Sequence, residues 1–270
     1  MKLLTLNCHS WLEENQIEKL TQLVENIVKN DYDVICLQEV NQLLTSNGAI
    51  LNDWFIPSTT DAEIHEDNFA LRLQEQLQCL DKEYYWSWCY NHIGYGRFHE
   101  GVAILAKAPF IAKDALISEI QDVADYHTRR ILTALTEVDG QLVQVVSGHF
   151  SWWEEGFPFE WRQIQTFLAD NPYPLILMGD FNNPADSNGY NLIMKSGWQL
   201  QDSFRAAKQT SGEETTLAKI AGWEESNGER IDYVFLTSEF KVLNHQVIFT
   251  GNKTPLISDH FGVFVEAQWK

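Results

Sequence analysis

Short apolar runs that each stop on a polar, cation-capable residue are what most constrain the fold of this chain. Lys2–Cys8 closes on Asn7-Cys8-His9, and Val34-Ile35-Cys36-Leu37 closes on Gln38-Glu39. Between them Ile17, Leu20, Val24, Ile27 and Val28 recur at three- and four-residue spacing among Glu, Lys and Gln, the pattern of an amphipathic helix. Strand, helix and strand within forty residues predict an α/β fold. The pattern then repeats: Leu142–Phe150 carries His149 at its end, and Leu175–Met178 runs into Gly179-Asp180-Phe181-Asn182. Asp232 opens the run Ile231–Leu236, and Asp259-His260 immediately precede Phe261–Val265. Strand ends on one edge of a sheet gather at a common cleft, so these residues are expected to meet. Carboxylate and amide oxygens are hard donors that suit Mg²⁺ or Mn²⁺. Cys8, Cys36, Cys79 and Cys89 form neither a CxxC nor a Cys/His pair at zinc spacing and read as reduced thiols.

The 270 residues fit one domain. Further strands are expected at Gly101–Ala106, Arg129–Val138 and Val242–Phe249, and a helix at about Phe159–Ala169. From Asn41 to Asn91 the pattern breaks: a Ser/Thr/Asn/Gly-rich stretch leads into a helical run (Phe69, Leu73, Leu77, Leu80) and then Tyr84-Tyr85-Trp86-Ser87-Trp88. This segment reads as an insertion within a single domain 1–270, lying over one face and shaping the cleft. With 44% hydrophobic and 21% charged residues the composition is that of an ordinary globular protein. Apolar runs fall far short of the roughly 18 residues a membrane span needs. Asn7 and His9 interrupt the first apolar stretch before a signal-peptide core forms, so a cytoplasmic protein is expected.

Nineteen Lys+Arg against 38 Asp+Glu leave a net charge of −19. Stable nucleic-acid binding needs a basic stripe that neutralises roughly 6–10 phosphates, and the only adjacent basic pair here is Arg129-Arg130. A nuclease that releases its substrate quickly survives this argument; a nucleic-acid scaffold does not.

Each strand-end residue has a local explanation. Glu39 would serve as a solvated strand end, Asn7 as a turn former, Asp180-Phe181-Asn182 as an Asx-turn, and His149 as a satisfied core histidine. All of these must hold at once, and together they weaken. The set Leu6-Asn7, Leu37-Gln38-Glu39-Val40, Glu100-Gly101, Ser147-Gly148-His149, Gly179-Asp180-Phe181-Asn182, Arg230-Ile231-Asp232-Tyr233-Val234 and Ser258-Asp259-His260 resembles the endonuclease/exonuclease/phosphatase superfamily of metal-dependent phosphohydrolases. The resemblance runs from residue 4 to about 266 and implies a four-layer α/β sandwich, two mixed sheets packed face to face with helices outside.

It also implies roles. Glu39 would be the principal metal carboxylate, Asn7 the amide that orders metal and phosphate, and Asp259 a second metal-side carboxylate. Asp180 and Asn182 would position or activate the attacking water and grip a phosphate oxygen. His260, oriented by Asp232, would stand over the phosphorus, and His149 would pair with Glu100. His9 occupies a place where some nucleases of the superfamily carry an aspartate metal ligand, so the resemblance does not carry over a second tightly held metal. Phosphoryl transfer needs such a set, because it proceeds mainly by positioning and charge neutralisation around an in-line displacement. Asp180 and His260 both qualify as the base.

Fold and core chemistry leave the ester open. After His149 the chain reads Ser151-Trp152-Trp153-Glu154-Glu155, aromatic and acidic. Aromatic faces suit sugar rings and carboxylates accept sugar hydroxyls, whereas the same Glu residues repel nucleic acid. Asp67-Asn68-Phe69-Ala70, Tyr85-Trp86-Ser87-Trp88, His92-Ile93-Gly94-Tyr95 and His149-Phe150-Ser151-Trp152-Trp153 resemble the cytosolic sugar-phosphate branch of the superfamily. Trp152, Trp153, Arg129 and Asn68 are accordingly expected at the substrate, a small phosphorylated sugar, with neither membrane nor stable nucleic-acid partner. The alternatives are a metal-dependent nuclease, a sphingomyelinase-like lipid hydrolase, and a non-catalytic binding protein on the same fold. The intact Glu39, Asp180, Asn182, Asp232 and His260 argue against the last.

Overall fold

Strands that are apolar at consecutive positions, rather than alternate ones, need cover on both faces. A computed structural model, which describes residues 1–270, supplies that cover in four layers. The elements in chain order are β1 (Lys2–Asn7), α1 (Gln16–Asn30), β2 (Val34–Leu43), α2 (Phe69–Gln78), β3 (Tyr85–Gly94), β4 (Phe98–Ala106) and β5 (Phe110–Leu116). There follow β6 (Arg130–Val138), β7 (Gln141–His149), a 3₁₀ turn at Trp153–Glu155, α3 (Phe157–Phe167), β8 (Leu175–Asp180) and α4 (Asn188–Met194). The chain ends with β9 (Gln201–Asp202), α5 (Ser203–Ala206), β10 (Gln209–Ser211), β11 (Asp232–Leu236), β12 (Phe240–Ile248) and β13 (Gly262–Trp269).

One sheet has seven strands in the order β10-β12-β13-β1-β2-β4-β3, the other six in the order β5-β6-β7-β8-β11-β9. Both are mixed, with parallel pairs β1/β2, β10/β12 and β7/β8. Leu3, Val34 and Cys36 of the first sheet meet Ile176, Met178, Val234 and Leu236 of the second in the central core. The alternate residues Leu4, Leu6, Ile35 and Leu37 pack outward under Leu20, Leu23, Val24 and Ile27 of α1 and Phe69, Leu73 and Leu77 of α2. On the other side Leu175, Leu177, Tyr233 and Phe235 pack under α3 and α4, and Trp161 is wholly buried there. The α/β sandwich expected from the sequence is the observed fold.

The stretch 41–91 departs from its reading as an insertion. Asn41–Leu43 continue β2, α2 covers the larger sheet, and β3 is that sheet's edge strand, paired with β4 throughout. Trp86 and Trp88 are fully buried. A strand covered on both faces carries aromatics on both, which conceals its period of two. β5 and α4 were not anticipated; β5 has exposed Ile111 and Lys113 at alternate positions and no long apolar run.

Candidate active site

The sheet registers bring the strand ends together. Asn7 lies opposite Gln38 across β1/β2, His149 opposite Asp180 across β7/β8, and Asp180 opposite Asp232 across β8/β11. Gln38 donates to Ser147 Oγ at 3.3 Å and ties the two sheets beneath this rim. The β2/β4 ladder slips between Leu37 and Val40, and Glu39 sits in the irregularity with φ 48°. Asn182 has the same φ of 48°. Left-handed backbone at non-glycine residues costs of order 1–3 kcal/mol each and gathers where a side chain must be aimed. Gly179 serves a different need: a Cβ there would lie 2.0 Å from the Gly148 carbonyl oxygen, so only glycine allows the two strands to approach just below Asp180.

Asn7 Nδ2 donates to Glu39 Oε1 (2.9 Å) and Asp180 Oδ2 (3.1 Å), while its Oδ1 accepts from His9 N (3.1 Å). Asn7 therefore bridges two carboxylates, one from each sheet. His260 Nδ1 lies 2.9 Å from Asp232 Oδ2 and its Nε2 3.8 Å from Asp180 Oδ2. His149 Nε2 approaches the same Asp180 oxygen at 3.5 Å. Asp180 Oδ1 accepts from Asn182 N (2.9 Å), so the Asx-turn and the cleft position coexist.

Burial and the Glu100 charge push the Glu39 carboxyl up, and burial with Asp232 does the same to Asp180. Burial alone would lower His260, but Asp232 and Asp180 outweigh it and hold the imidazole up at about 10. His149 is driven the other way, by burial first and then by Arg129, His92 and His260. One buried histidine is thus held charged and the other neutral.

Glu39 Oε2 is buried with no hydrogen-bond partner. A buried carboxylate oxygen without a partner calls for a cation, and the oxygen donors around it suit a hard one. Two further groups bring three donors within 4.8 Å of one another, Asp180/Asp232/His260 and His9/Glu13/Asp259. In the first, His260 Nδ1 is engaged by Asp232. In the second, Glu13 is taken by His9 (2.7 Å) and Lys19 (2.6 Å). Among these donors, Glu39 keeps a buried carboxylate oxygen free for a divalent cation. Asp259, half-buried and close enough to raise the Glu39 carboxyl, stands on the same side.

Glu39, Glu100, Arg129, His149, Trp152, Asp180, Asn182 and His260 all line one cleft of ≈ 340 Å³. A wider groove of ≈ 820 Å³ between α1 and α2 contains none of them. Two expectations fail. Asn68 is fully buried away from the cleft, accepting from Ala70 N and Leu71 N as the N-cap of α2 and donating to Gln42. Its side chain is taken up by helix capping, a role Asn favours. Glu100 does not hold His149: their closest approach is 4.0 Å, whereas His92 Nε2 lies 3.3 Å from the Glu100 carboxylate. His92 Nδ1 donates to the Thr128 carbonyl (3.1 Å).

Several cleft residues escaped the sequence reading. Tyr95 and Tyr126 line it, as do Ala221 and Gly222. Trp223 Nε1 donates to Asn182 Oδ1 (3.3 Å), and Asn182 Nδ2 donates to the Phe150 carbonyl (2.9 Å). Thr216 pairs with His260, which places the loop that follows over the site. At Gly222, with φ 79°, a Cβ would lie 2.4 Å from the Trp152 ring. Tyr126, Trp152, Asn182 and Gly222 also line an adjoining cavity of ≈ 490 Å³, walled by Trp153 and Trp223 and edged by Glu154 and Glu155.

Two sheets packed face to face, with carboxylates and histidines crowded on their common rim, define a sandwich-fold hydrolase. The chain belongs to the endonuclease/exonuclease/phosphatase family, whose sequence profile matches residues 4–260. Members of this family are hydrolases, phosphatases among them, and generally require a divalent metal. A family protein from Leptotrichia buccalis C-1013-b is 35% identical over the full length of both chains, with a TM-score of 0.86. The mannosyl-6-phosphatase of Bacteroides thetaiotaomicron VPI-5482 shares the fold at 15% identity and TM-score 0.67, again over both full lengths. The human Nocturnin catalytic domain, solved with a bound sulfate anion, does so at 15% identity and TM-score 0.69, over all of this chain and 93% of that one. No curated protein sequence matches the chain.

Proposed function

We propose that this chain is a Mg²⁺-dependent phosphomonoesterase, with Mn²⁺ as a substitute, that releases phosphate from a phosphorylated sugar, maltose 6′-phosphate foremost, in the cytoplasm. One observation carries the substrate class: the aromatic, acid-edged cavity that opens directly from the catalytic cleft. Indole and phenol faces pack against the C–H faces of a sugar, and Glu154 and Glu155 accept its hydroxyls. The same carboxylates would repel the second phosphate of a polynucleotide, and the charge of −19 works in the same direction. Free cysteines, three of the four buried, agree with a reducing compartment. No helix is long and apolar enough to cross a membrane.

Glu39, with Asp259 beside it, would hold the cation, and Asn7 keeps Glu39 in place. When bound, such an ion would supply positive charge to offset the negative charge of the phosphate and the departing alkoxide. Asp180, raised toward neutrality by burial and Asp232, is the better base for the attacking water, since a base works best with a pKa near the working pH. His260, held charged by Asp232, donates from Nε2 to the phosphate. His149, kept neutral, stands beside Asp180 to orient the water. Asn182 is fixed by Phe150 and Trp223 and borders both the phosphate and the sugar cavity.

A phosphate-release screen with Mg²⁺, over sugar phosphates, nucleotides and phosphorylated lipid headgroups, tests the proposal. Turnover should be highest on a disaccharide phosphate. Plasmid nicking without phosphate release from any sugar phosphate would make the chain a nuclease, and preference for a sphingolipid headgroup would make it a lipid hydrolase.

A further inference from the structure

Arg129 lies immediately before β6 and is the one Lys or Arg that lines the catalytic cleft. The residue is 2% exposed, and its Nε and Nη1 are buried with no hydrogen-bond partner. Its backbone is well fixed, with N donating to Ser118 Oγ (2.9 Å) and the carbonyl accepting from Ile117 N (2.9 Å). Its neighbour Arg130 shows what a satisfied guanidinium looks like here. Arg130 reaches Asp114 through Nε at 2.9 Å and Nη2 at 2.8 Å, and Thr60 Oγ1 at 2.8 Å. Arg129 forms no ion pair, although Glu39, Glu100 and Asp180 line the same cleft. A guanidinium withdrawn from water without acceptors has given up its hydration for nothing in the free protein. An anion arriving in the cleft restores what was lost.

We propose that Arg129 is the specificity-determining residue that selects a terminal, dianionic phosphate over a diester. The inference rests on the phosphoesterase reading above and deepens it. A monoester has three terminal oxygens and close to two negative charges; a diester has two such oxygens and one charge. The Glu39 side of the cleft and the His260 side each occupy one oxygen. The third exists as a charged acceptor only in the monoester, and Arg129 takes it. Guanidinium–phosphate contacts are charge-assisted and stronger than neutral hydrogen bonds, so they discriminate.

Arg129→Met and Arg129→Lys are compared with the parent protein at saturating Mg²⁺ on p-nitrophenyl phosphate and bis(p-nitrophenyl) phosphate. Inorganic phosphate binding is followed by calorimetry and unfolding by thermal scan. Arg129→Met should lower kcat/KM on the monoester at least roughly tenfold more than on the diester, as expected for a lost hydrogen bond to a charged group. Phosphate binding should weaken by a similar factor, and the unfolding temperature should hold or rise because an unpaired buried charge has gone. Arg129→Lys, which keeps the charge, should fall between. Equal losses on both esters, or unchanged phosphate affinity, would overturn the assignment. If the parent hydrolyses neither ester, the phosphomonoesterase reading falls, and the phosphate titration still decides whether Arg129 is an anion site. If Arg129→Met does not fold, the same ratio and affinity in Arg129→Lys decide.

Discussion

Asp232→Asn exchanges one oxygen for an amide nitrogen and separates a catalytic from a structural role for the Asp232–His260 contact. Asp232 Oδ2 lies 2.9 Å from His260 Nδ1 with both side chains buried, so Nδ1 carries a proton and Nε2 faces Asp180 at 3.8 Å. Asp232 is also the foremost of the carboxylates that offset burial and hold His260 up at about 10. An amide removes that charge and presents an N–H of its own, so the ring loses its fixed proton. The same exchange at a histidine-orienting aspartate costs about 10⁴ in turnover in a serine hydrolase. Here we expect a fall of about 10³–10⁴ in kcat, or about 4–5 kcal/mol at the usual cost per decade, with KM little changed. Stability should move the other way. Asp180 and Asp232 face each other across β8/β11, and their proximity is part of what raises Asp180. Neutralising one relieves the repulsion, so the unfolding temperature should hold or rise. Steady-state kinetics and a thermal scan on one preparation read both. A kcat within tenfold of the parent, combined with a loss of more than about 5 °C, would refute the reasoning and make Asp232 a structural residue.

Glu39→Gln should lose at least roughly a hundredfold in activity, partly recovered by excess Mg²⁺ or Mn²⁺, with folding retained; full activity in the variant, or in EDTA, rules Glu39 out as the ligand. Trp152→Ala should raise KM for a disaccharide phosphate more than for p-nitrophenyl phosphate, because the minimal ester has no sugar to stack; equal shifts would place Trp152 in the scaffold. His245 is buried beside Ser203, and burial depresses its pKa to about 4, well below an unfolded value near 6.5. The unfolded chain therefore binds the extra proton first, and the stability this group supplies above pH 6.5 is lost as pH falls toward 4, about 3 kcal/mol in all. His245→Gln should flatten the urea-unfolding profile over that window, and an unchanged slope would exclude the histidine as its source.

How far the fold could be read from the sequence depended on how each strand is covered. Leu175–Met178 and Val34–Leu37 are apolar on both faces because helices lie on one side and the other sheet on the opposite side, and both were legible as buried strands. β3 is just as buried, yet its Tyr85, Trp86 and Trp88 read as part of an insertion over one face. Composition alone does not separate an aromatic strand from an aromatic surface. β5 stayed hidden for the opposite reason: at the sheet edge it keeps Ile111 and Lys113 outside and has no run to detect.

The site divides along the same physical line. Asn7, His149, Asp180 and Asp232 were legible because a strand carries its end residue to a position set by register, and register follows from the apolar pattern. Glu39, in the slip of the β2/β4 ladder, was legible only as the polar residue on which the apolar run Val34–Leu37 stops. His92 is also on a strand but beyond the slip between Tyr90 and His92, so pairing it with Glu100 required the bulge to be known. Trp223 and Gly222 lie on a loop and owe their places to contacts across some forty and seventy residues, with Asn182 and Trp152. Nothing near them in the chain records those contacts, since a loop's course over the surface is decided by what it packs against. The rim of carboxylates and histidines is therefore built on strands and visible in the sequence, while the wall that would select the sugar is built by loop on loop. A relative with the same strand-end residues and a different 217–229 segment should keep the reaction and change the substrate.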